Sequence, residues 1–327
     1  MKKAVITGIT GQDGAYLSKL LLEKGYEVIG LTRSINSANT NKLEYLNIKN
    51  DIRMEEIDLT DLASVNKLIS DYKPDEIYNF AAQSSVKMSF EQPITTIKFN
   101  VISVLNLLEA IKTVNPETKF YQASSSEMFG KVGNLPITEQ TVIHPLSPYA
   151  ISKASAHWTV INYRESYGIY TCCGILFNHE SYLRTSGFFV KKIIQGAIEI
   201  HNRKEEVLRV GNLNVKRDFG YAPEYVKAIW MIMQQEKPEE FLICSGSSIS
   251  LKEIVYYVFD KLNIDRSRII EDKSLYRPTD IEDMYGDNSK AKKKLGWKYD
   301  YNFFEILDLL IQEELENIQS KSQLTGR

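Results

Sequence analysis

The stretch Ala4-Val5-Ile6-Thr7-Gly8-Ile9-Thr10-Gly11-Gln12-Asp13-Gly14 decides the fold. A short apolar run ends in glycines at three-residue spacing. It leads into Tyr16–Lys24, where Leu17, Leu20 and Leu21 share one helical face. A strand entering a helix through such glycines lets backbone N–H groups approach a pyrophosphate at the helix N-terminus, the signature of a dinucleotide-binding turn. Gly8, Ile9, Thr10, Gly11, Gln12, Asp13 and Gly14 are therefore cofactor-binding candidates. Far downstream, Ser147-Pro148-Tyr149-Ala150-Ile151-Ser152-Lys153 places Tyr149 and Lys153 four residues apart, on one face of a helix.

Outward from the first turn, strand-like and helix-like segments alternate. Ala4–Thr7, Glu27–Leu31, Ile52–Ile57, Glu76–Phe80, Lys119–Gln122 and Tyr170–Leu176 read as strands. Ser64–Tyr72, Thr95–Val114 and Tyr149–Tyr167 read as helices between them. This alternation predicts an α/β fold with a Rossmann-type, doubly wound parallel sheet. After residue 177 the pattern loosens into helical Phe188–Ile200, Pro223–Gln234 and Leu251–Leu262, with a strand-like Phe241–Cys244. The expected division is a nucleotide-binding domain over 1–177, with 223–244 returning to it. The rest of 178–327 is expected to form a smaller α/β substrate lobe, ending in a frayed tail at Ser320–Arg327.

In a doubly wound sheet, ligands lie beyond the carboxyl ends of the strands. Asp58 and Leu59 follow strand three and are expected near the adenine. Phe80, Ala81, Ala82, Gln83 and Ser84 end strand four, with small residues that admit a close cofactor. Strand two ends at Arg33, where an enzyme selective for NAD usually carries an acid. An arginine there suits a 2′-phosphate, so NADP is the expected cofactor; a solvated loop charge is the alternative. Tyr149 with Lys153 beside it is a candidate proton acceptor, since an ammonium and the nicotinamide charge both favour tyrosinate. Tyr121–Gly130 points at the same crevice. Ser125 or Ser126 can hydrogen-bond a sugar hydroxyl, and Glu127 can remove a proton next to a ketone and protonate a leaving hydroxyl. A helix-capping or solvated Glu127 is the alternative.

Several motifs carry a resemblance: Thr7–Gly14, Tyr121–Gly130, Ile175-Leu176-Phe177-Asn178-His179-Glu180-Ser181, Lys216–Gly220 and Tyr276–Asp280. Along nearly its full length the chain resembles the extended short-chain dehydrogenases/reductases, and within them the GDP-mannose 4,6-dehydratase family. The resemblance implies an internal redox cycle on a GDP-sugar. Hydride leaves C4 for NADP⁺ as Tyr149 takes the O4 proton, and Glu127 removes the C5 proton. Water leaves from C6 with help from Glu127 and Ser125, and hydride returns to C6. It further implies that Thr95, His179 and Arg184 contact the cofactor, and that Ser85, Asn178, Lys192, Arg217, Arg277 and Glu282 hold the nucleotide-sugar. For Arg217 and Arg277, ordinary surface charge is the alternative. Departures from the family fall around the sugar: Ser125 replaces a threonine, and Glu180-Ser181-Tyr182-Leu183-Arg184-Thr185 replaces Glu-Ser-Pro-Arg-Arg-Gly. One arginine follows strand two instead of a pair, and Asp280 and Glu282 exchange the lengths of the family's acids. A related substrate such as a GDP-heptose, a 4-keto-sugar reductase or epimerase activity, and a non-catalytic NADP-binding scaffold are the competing readings.

Composition narrows the partners. The 327 residues carry a net charge of −2, which gives no reason to expect a nucleic-acid or anionic-membrane surface. The three cysteines fit buried thiols in a reducing compartment, with no disulfide framework and no metal-ligand spacing. Lys2 and Lys3 precede an apolar run that ends at Gly8, too short for a signal peptide, and no 18-residue apolar span is expected elsewhere. A cytoplasmic enzyme is the expectation. Thr95–Val114 and Tyr149–Tyr167 are expected to pair across a two-fold axis into a homodimer or homotetramer, as in relatives. Asn36–Asn41 resembles the loop through which relatives reach a neighbour's cofactor.

Overall fold

The structure, a computed structural model, describes residues 1–325, with side chains through residue 319. In chain order the first half contains β1 (Lys3–Thr7), α1 (Gln12–Glu23), β2 (Glu27–Thr32), α2 (Asn41–Tyr45), β3 (Arg53–Glu56), α3 (Leu62–Tyr72), β4 (Glu76–Asn79), α4 (Val86–Glu91), α5 (Pro93–Val114), β5 (Lys119–Ser125), α6 (Pro148–Tyr167) and β6 (Thr171–Leu176). The second half contains β7 (Asn178–Glu180), α7 (Phe189–His201), β8 (Leu208–Val210), β9 (Lys216–Arg217), β10 (Phe219–Tyr221), α8 (Ala222–Met233), β11 (Glu240–Ile243), β12 (Ile249–Ser250), α9 (Leu251–Lys261), β13 (Ile269–Glu271), α10 (Ser289–Leu295) and α11 (Phe303–Thr325).

Seven strands form one parallel sheet in the order β11-β6-β5-β4-β1-β2-β3. Successive strand residues serve opposite faces. Ala4 and Ile6 pack with Leu17, Leu21 and Ile229, whereas Val5 packs with Val65, Leu107 and Ile111 on the other side. Tyr78 and Tyr121 likewise belong to the first layer, and Ile77 and Phe120 to the second. Burial on both faces explains why these strands read as short continuous apolar runs. Strand order reverses between β1 and β4, so their carboxyl ends open a crevice. The glycine turn and residues 80–84 line it.

A second apolar cluster gathers Ile193, Ile194, Val258, Phe259, Ile306 and Leu310 from α7, α9 and α11. Three two-stranded pairs, β10-β7, β12-β9 and β13-β8, lie outside the main sheet. The helix α11 was not expected, although Phe303, Ile306, Leu307, Leu310 and Ile311 repeat at helical spacing and are buried. It enters the expected frayed tail as far as Thr325, and residues 326–327 lie outside the described residues. The expectation of no long apolar span is corrected by α5, a helix long and apolar enough to cross a membrane by length and composition. Its Val104, Leu107, Leu108 and Ile111 are instead buried in the layer against the sheet, which accounts for that composition.

Local geometry fixes the loop bearing Ser125 and Glu127. It closes at Gly130, which has φ +52°, and a Cβ there would lie 2.0 Å from the carbonyl oxygen of His144. Gly168, the left-handed cap of α6 at φ +68°, has nothing within 4 Å of its own hypothetical Cβ. Alanine at Gly168 is therefore expected to cost only the backbone strain, about 1 kcal/mol. Gly130→Ala adds a main-chain collision and should cost clearly more than about 2 kcal/mol. Urea unfolding of both variants measures the difference, and equal losses would remove the collision argument.

Candidate active site

A buried row of hydrogen bonds runs across the strand ends beneath the crevice. Thr7 Oγ1 accepts from Phe80 N (3.0 Å) and Ala81 N (2.9 Å) and donates to Asn79 Oδ1 at 2.6 Å. Asn79 Nδ2 donates to Gln122 Oε1 at 2.8 Å, and Gln122 Nε2 to the carbonyl of Ala123 at 3.1 Å. The Lys153 ammonium donates to that same carbonyl at 2.8 Å. The row thus joins the glycine turn to the Tyr-x-x-x-Lys helix. Sequence reading passed over Thr7, Asn79 and Gln122; a polar residue at the end of three adjacent apolar strands was the available signal.

The turn itself is tight. Gly8 has φ +68°, and a side chain there would meet Ala81 N at 2.9 Å. Gly11 caps α1 with no side-chain hydrogen bond, so the first turn of the helix offers bare N–H groups. Gln12 and Asp13 instead reach sideways to β7. Gln12 Nε2 donates to the His179 carbonyl (3.1 Å), and Gln12 Oε1 accepts from Ser181 Oγ (2.7 Å). His179 Nε2 lies 2.9 Å from Asp13 Oδ1, and Nδ1 lies 2.7 Å from the Phe177 carbonyl. Both ring nitrogens face groups that only accept, which makes the ring an imidazolium. Burial lowers the His179 pKa, but the Asp13 charge outweighs it and raises the value overall. Burial raises Asp13 in turn, and the His179 charge and hydrogen bond, with Arg184 beyond them, hold it at about 2.

Tyr149 and Lys153 stand on α6, which Ser147 caps through Ala150 N at 3.1 Å. Burial pushes Tyr149 up to about 12, against a lowering hydrogen bond from Ser125, while the Glu127 charge adds to the rise. Burial brings Lys153 down to about 8. The expected tyrosinate is therefore not prepared by this chain's own groups, because burial outweighs the Ser125 hydrogen bond and the Arg184 charge. Glu127 is half-buried beside Ser125, whose Oγ accepts from Glu127 N at 3.3 Å. Asn100, also unforeseen, bonds Gln83 N and Ser152 Oγ at 2.8 and 2.9 Å and so ties the 80–84 segment to α6. It interrupts the apolar face of α5, which was its visible signal.

On the opposite wall, Arg277 Nη1 lies 3.5 Å from Glu127 Oε1, and both line a small cavity with Ser147, Thr279 and Asp280. Arg217 is buried and pairs with Asp280 at 2.9 Å, which leaves Glu282 exposed. Asn178 Nδ2 donates to the Asp218 carbonyl at 3.1 Å. The Asp218 carboxylate accepts from Ser245 N (2.8 Å), Gly246 N (3.1 Å) and Gly286 N (3.4 Å), and burial raises it to about 6. Arg184 Nε lies 3.5 Å from Glu180 Oε1, and its guanidinium covers the Phe188 ring. Six further candidates lie on other segments. Lys192 Nζ donates to the Arg209 carbonyl at 3.1 Å, Thr95 faces solvent, and Ser85 caps α4 through Met88 N at 3.2 Å. Arg33 is exposed beyond β2, and Asp58 accepts from Thr60 N at 2.8 Å. Leu59 is buried.

The crevice fits a dinucleotide. Bare helix N–H groups meet cationic His179 and Arg184 there. Arg184 Nε, Gln83 Oε1 and Thr96 Oγ1 are buried without a hydrogen-bond partner among the described residues.

The sheet order and the crevice at its switch point define a doubly wound, Rossmann-type nucleotide-binding fold. Solved structures share it: UDP-glucose 4-epimerase from Thermotoga maritima superposes with a TM-score of 0.86 at 24% identity, covering 97% of this chain and 99% of that one. A dTDP-glucose 4,6-dehydratase from Streptomyces venezuelae, with NAD bound, gives 0.87 at 20% identity over 96% and 97%. The sequence model of the GDP-mannose 4,6 dehydratase family matches residues 5–310, and the chain belongs to that family. Among its relatives, GDP-mannose 4,6 dehydratase 1 of Arabidopsis thaliana is 42% identical over 96% of this chain and 90% of its own length. The GDP-mannose 4,6-dehydratase of Vibrio cholerae is 39% identical over 99% and 96%.

The Asp13–His179 pair predicts a two-edged stability profile. The depressed Asp13 carboxyl contributes stability that is complete above its unfolded value near 4 and is lost as pH falls towards 2. The raised His179 contributes stability present below its ordinary value and lost as pH rises through the folded value. Asp13→Asn is expected to lower the unfolding free energy by about 2 kcal/mol at pH 6, with a shrinking gap on either side. A gap that stays constant from pH 6 down to pH 2 in denaturant titrations would exclude the ion pair.

Proposed function

We propose that this protein converts GDP-mannose to GDP-4-keto-6-deoxymannose and water on a retained NADP. The carrying observation is Glu127 in the same crevice as Ser125, Tyr149 and Lys153, because proton transfer at C4 alone requires no third acid–base group. The glycine turn, with His179 and Arg184 beside it, would hold the nicotinamide dinucleotide, which would supply the hydride acceptor for C4 and the hydride donor for C6. Tyr149, held at about 12 by burial, would become a proton acceptor only with a positive charge such as an oxidised nicotinamide beside it. Tyr149 takes the O4 proton. Glu127 then removes the C5 proton, acidified by the C4 ketone, and hands it to the departing C6 hydroxyl, with Ser125 as hydrogen-bond partner. Tyr149 returns its proton to C5, which closes the cycle without a second redox substrate.

Arg277 and Arg217 suit the substrate diphosphate, and the exposed Arg33, with no acidic residue in its place, supports a 2′-phosphate and hence NADP. Residues 1–177 with 223–244 hold the cofactor in this reading, and the remainder holds the nucleotide-sugar. Exposed Ile94, Ile97, Ile151 and Trp158 on α5 and α6 support a homo-oligomer built through those helices.

Incubation with GDP-mannose should give a product lighter by one water with no net change in nicotinamide absorbance. Unreacted GDP-mannose beside rapid NADPH-dependent reduction of a supplied 4-keto sugar would overturn the reading. Dehydration of a GDP-heptose alone would transfer it to that substrate. Tyr149→Phe is expected to lower kcat by about a hundred- to ten-thousand-fold. Glu127→Gln should stall after oxidation, visible as a persistent burst of reduced nicotinamide without product. Turnover in Tyr149→Phe close to wild type would remove Tyr149 from the mechanism.

A further inference from the structure

Of the buried polar groups that the reaction does not use, one pair stands next to the reacting residues. Ser124 Oγ lies 2.9 Å from His157 Nδ1, and the two side chains share a hydrogen bond. Both residues are buried, and neither lines the cavity beside Glu127. A serine facing a histidine has the form of a nucleophile and its base, but this pair is out of a substrate's reach. Burial brings His157 down to about 4, with Glu240 attracting its proton and Arg164 repelling it. Those two charges are themselves paired, Arg164 Nη2 lying 2.6 Å from Glu240 Oε1. The ring is therefore neutral at ordinary pH, and proton exchange is not its task.

The place of the pair in the fold gives it another. Ser124 stands between Ala123 and Ser125 at the end of β5. On α6, Tyr149, Lys153 and His157 recur every four residues, on one face and about 6 Å apart along the axis. Lys153 Nζ donates to the Ala123 carbonyl at 2.8 Å, and one turn farther His157 holds the Ser124 hydroxyl. Ser125, next in the strand, hydrogen-bonds Tyr149. Three consecutive strand residues thus answer three residues of one helical face. Around His157 that face is apolar: Ala156 and Val160 pack with Phe120 of β5 and Cys173 of β6. Apolar packing is non-directional and tolerates a helix turning or sliding over a strand. The Lys153 bond alone leaves α6 free to pivot about the Ala123 carbonyl. A second directional bond, one turn away, removes that freedom. A hydrogen bond between two buried neutral groups adds little net stability, since both give up water to make it. Its contribution is to the register.

We propose that His157 is a positioning residue for the proton-transfer groups. Through Ser124 it sets the height and rotation of α6 against the end of β5, and with them the placement of Tyr149 and Lys153 relative to Ser125. The proposal rests on the reading of Tyr149, Lys153 and Ser125 as the groups that act on the sugar. It adds a residue that touches neither sugar nor cofactor and acts from one turn beyond Lys153.

Steady-state kinetics on GDP-mannose, together with hydrogen exchange of the backbone amides in 122–128, test this on the full chain. His157→Phe keeps a buried ring and removes the bond. It is expected to lower kcat about ten- to a hundredfold, with KM for GDP-mannose and the melting temperature near wild type. His157→Asn, whose amide reaches the Nδ1 position, should keep most of the wild-type kcat. Ser124→Ala should lower kcat by a factor similar to His157→Phe, and the double variant should fall no further than either alone, since both remove the same bond. Amide exchange in 122–128 should quicken in His157→Phe while the rest of the sheet stays protected. Wild-type kcat in His157→Phe, or losses that multiply in the double variant, overturn the positioning role. A limb lost from the kcat–pH profile in His157→Phe makes the ring a titrating group and overturns it as well. Should His157→Phe not fold, Ser124→Ala carries the same prediction, and wild-type kcat there sinks the proposal. A wild type inactive on GDP-mannose defeats the underlying reading instead. Exchange that quickens in 122–128 then still supports the register role, and unchanged exchange overturns it.

Discussion

The row of buried hydrogen bonds from Thr7 through Asn79 and Gln122 to the Ala123 carbonyl and Lys153 is the constraint on which the site depends. It lies where the parallel strands end and the sheet's own ladder no longer satisfies polar groups. Each member has its donors and acceptors engaged by the next, so the strand ends hold one register. An unsatisfied polar group at this depth costs about 1–3 kcal/mol, which makes a partly formed row worse than an apolar one. Through it, the glycine turn and the lysine beside Tyr149 are held at one separation.

A second constraint is electrostatic. The glycine turn carries Asp13, a charge of the wrong sign for any anion at the helix N-terminus. His179 resolves the conflict: it neutralises Asp13, while Gln12 grips the His179 carbonyl and the Ser181 hydroxyl. The Gly-Gln-Asp-Gly turn and the Asn-His-Glu-Ser segment, some 165 residues apart, are therefore two halves of one joint between the seven-stranded sheet and the segment after β6. Asp218 makes the matching joint on the far wall. Its carboxylate collects three backbone N–H groups from two loops, so the 277–286 segment with Arg277 hangs beside Glu127. Among the described residues that carboxylate has no ion-pair partner, and burial keeps its pKa high despite the three donors.

Much of the fold was legible in the chain. The strands now labelled β1 to β6 and β11 each overlap a segment read as a strand; for all but the charged, partly exposed edge strand β3, burial on both faces writes itself as a short apolar run. The helix α11 was equally legible by its spacing and was overlooked, whereas α2 was not. Five residues with one buried leucine carry no periodic signal, and its position comes from Tyr182 and Glu313. The motif residues of the site were visible as types and spacings. Their partners were not: Arg217 met Asp280 and left Glu282 in solvent, a choice set by how the 277–286 segment hangs.

The sequence by itself determined the glycine turn, the strand–helix alternation and the Tyr149–Lys153 pairing on one helix face. Each follows from steric or periodic rules that act within a few residues. Only the tertiary structure decided that Asp13 answers His179, that Asn79 and Gln122 tie the turn to Lys153, and that Tyr149 is held near 12 by burial. Those outcomes depend on which distant segments share a low-dielectric interior, and distance through the fold is not written in spacing along the chain.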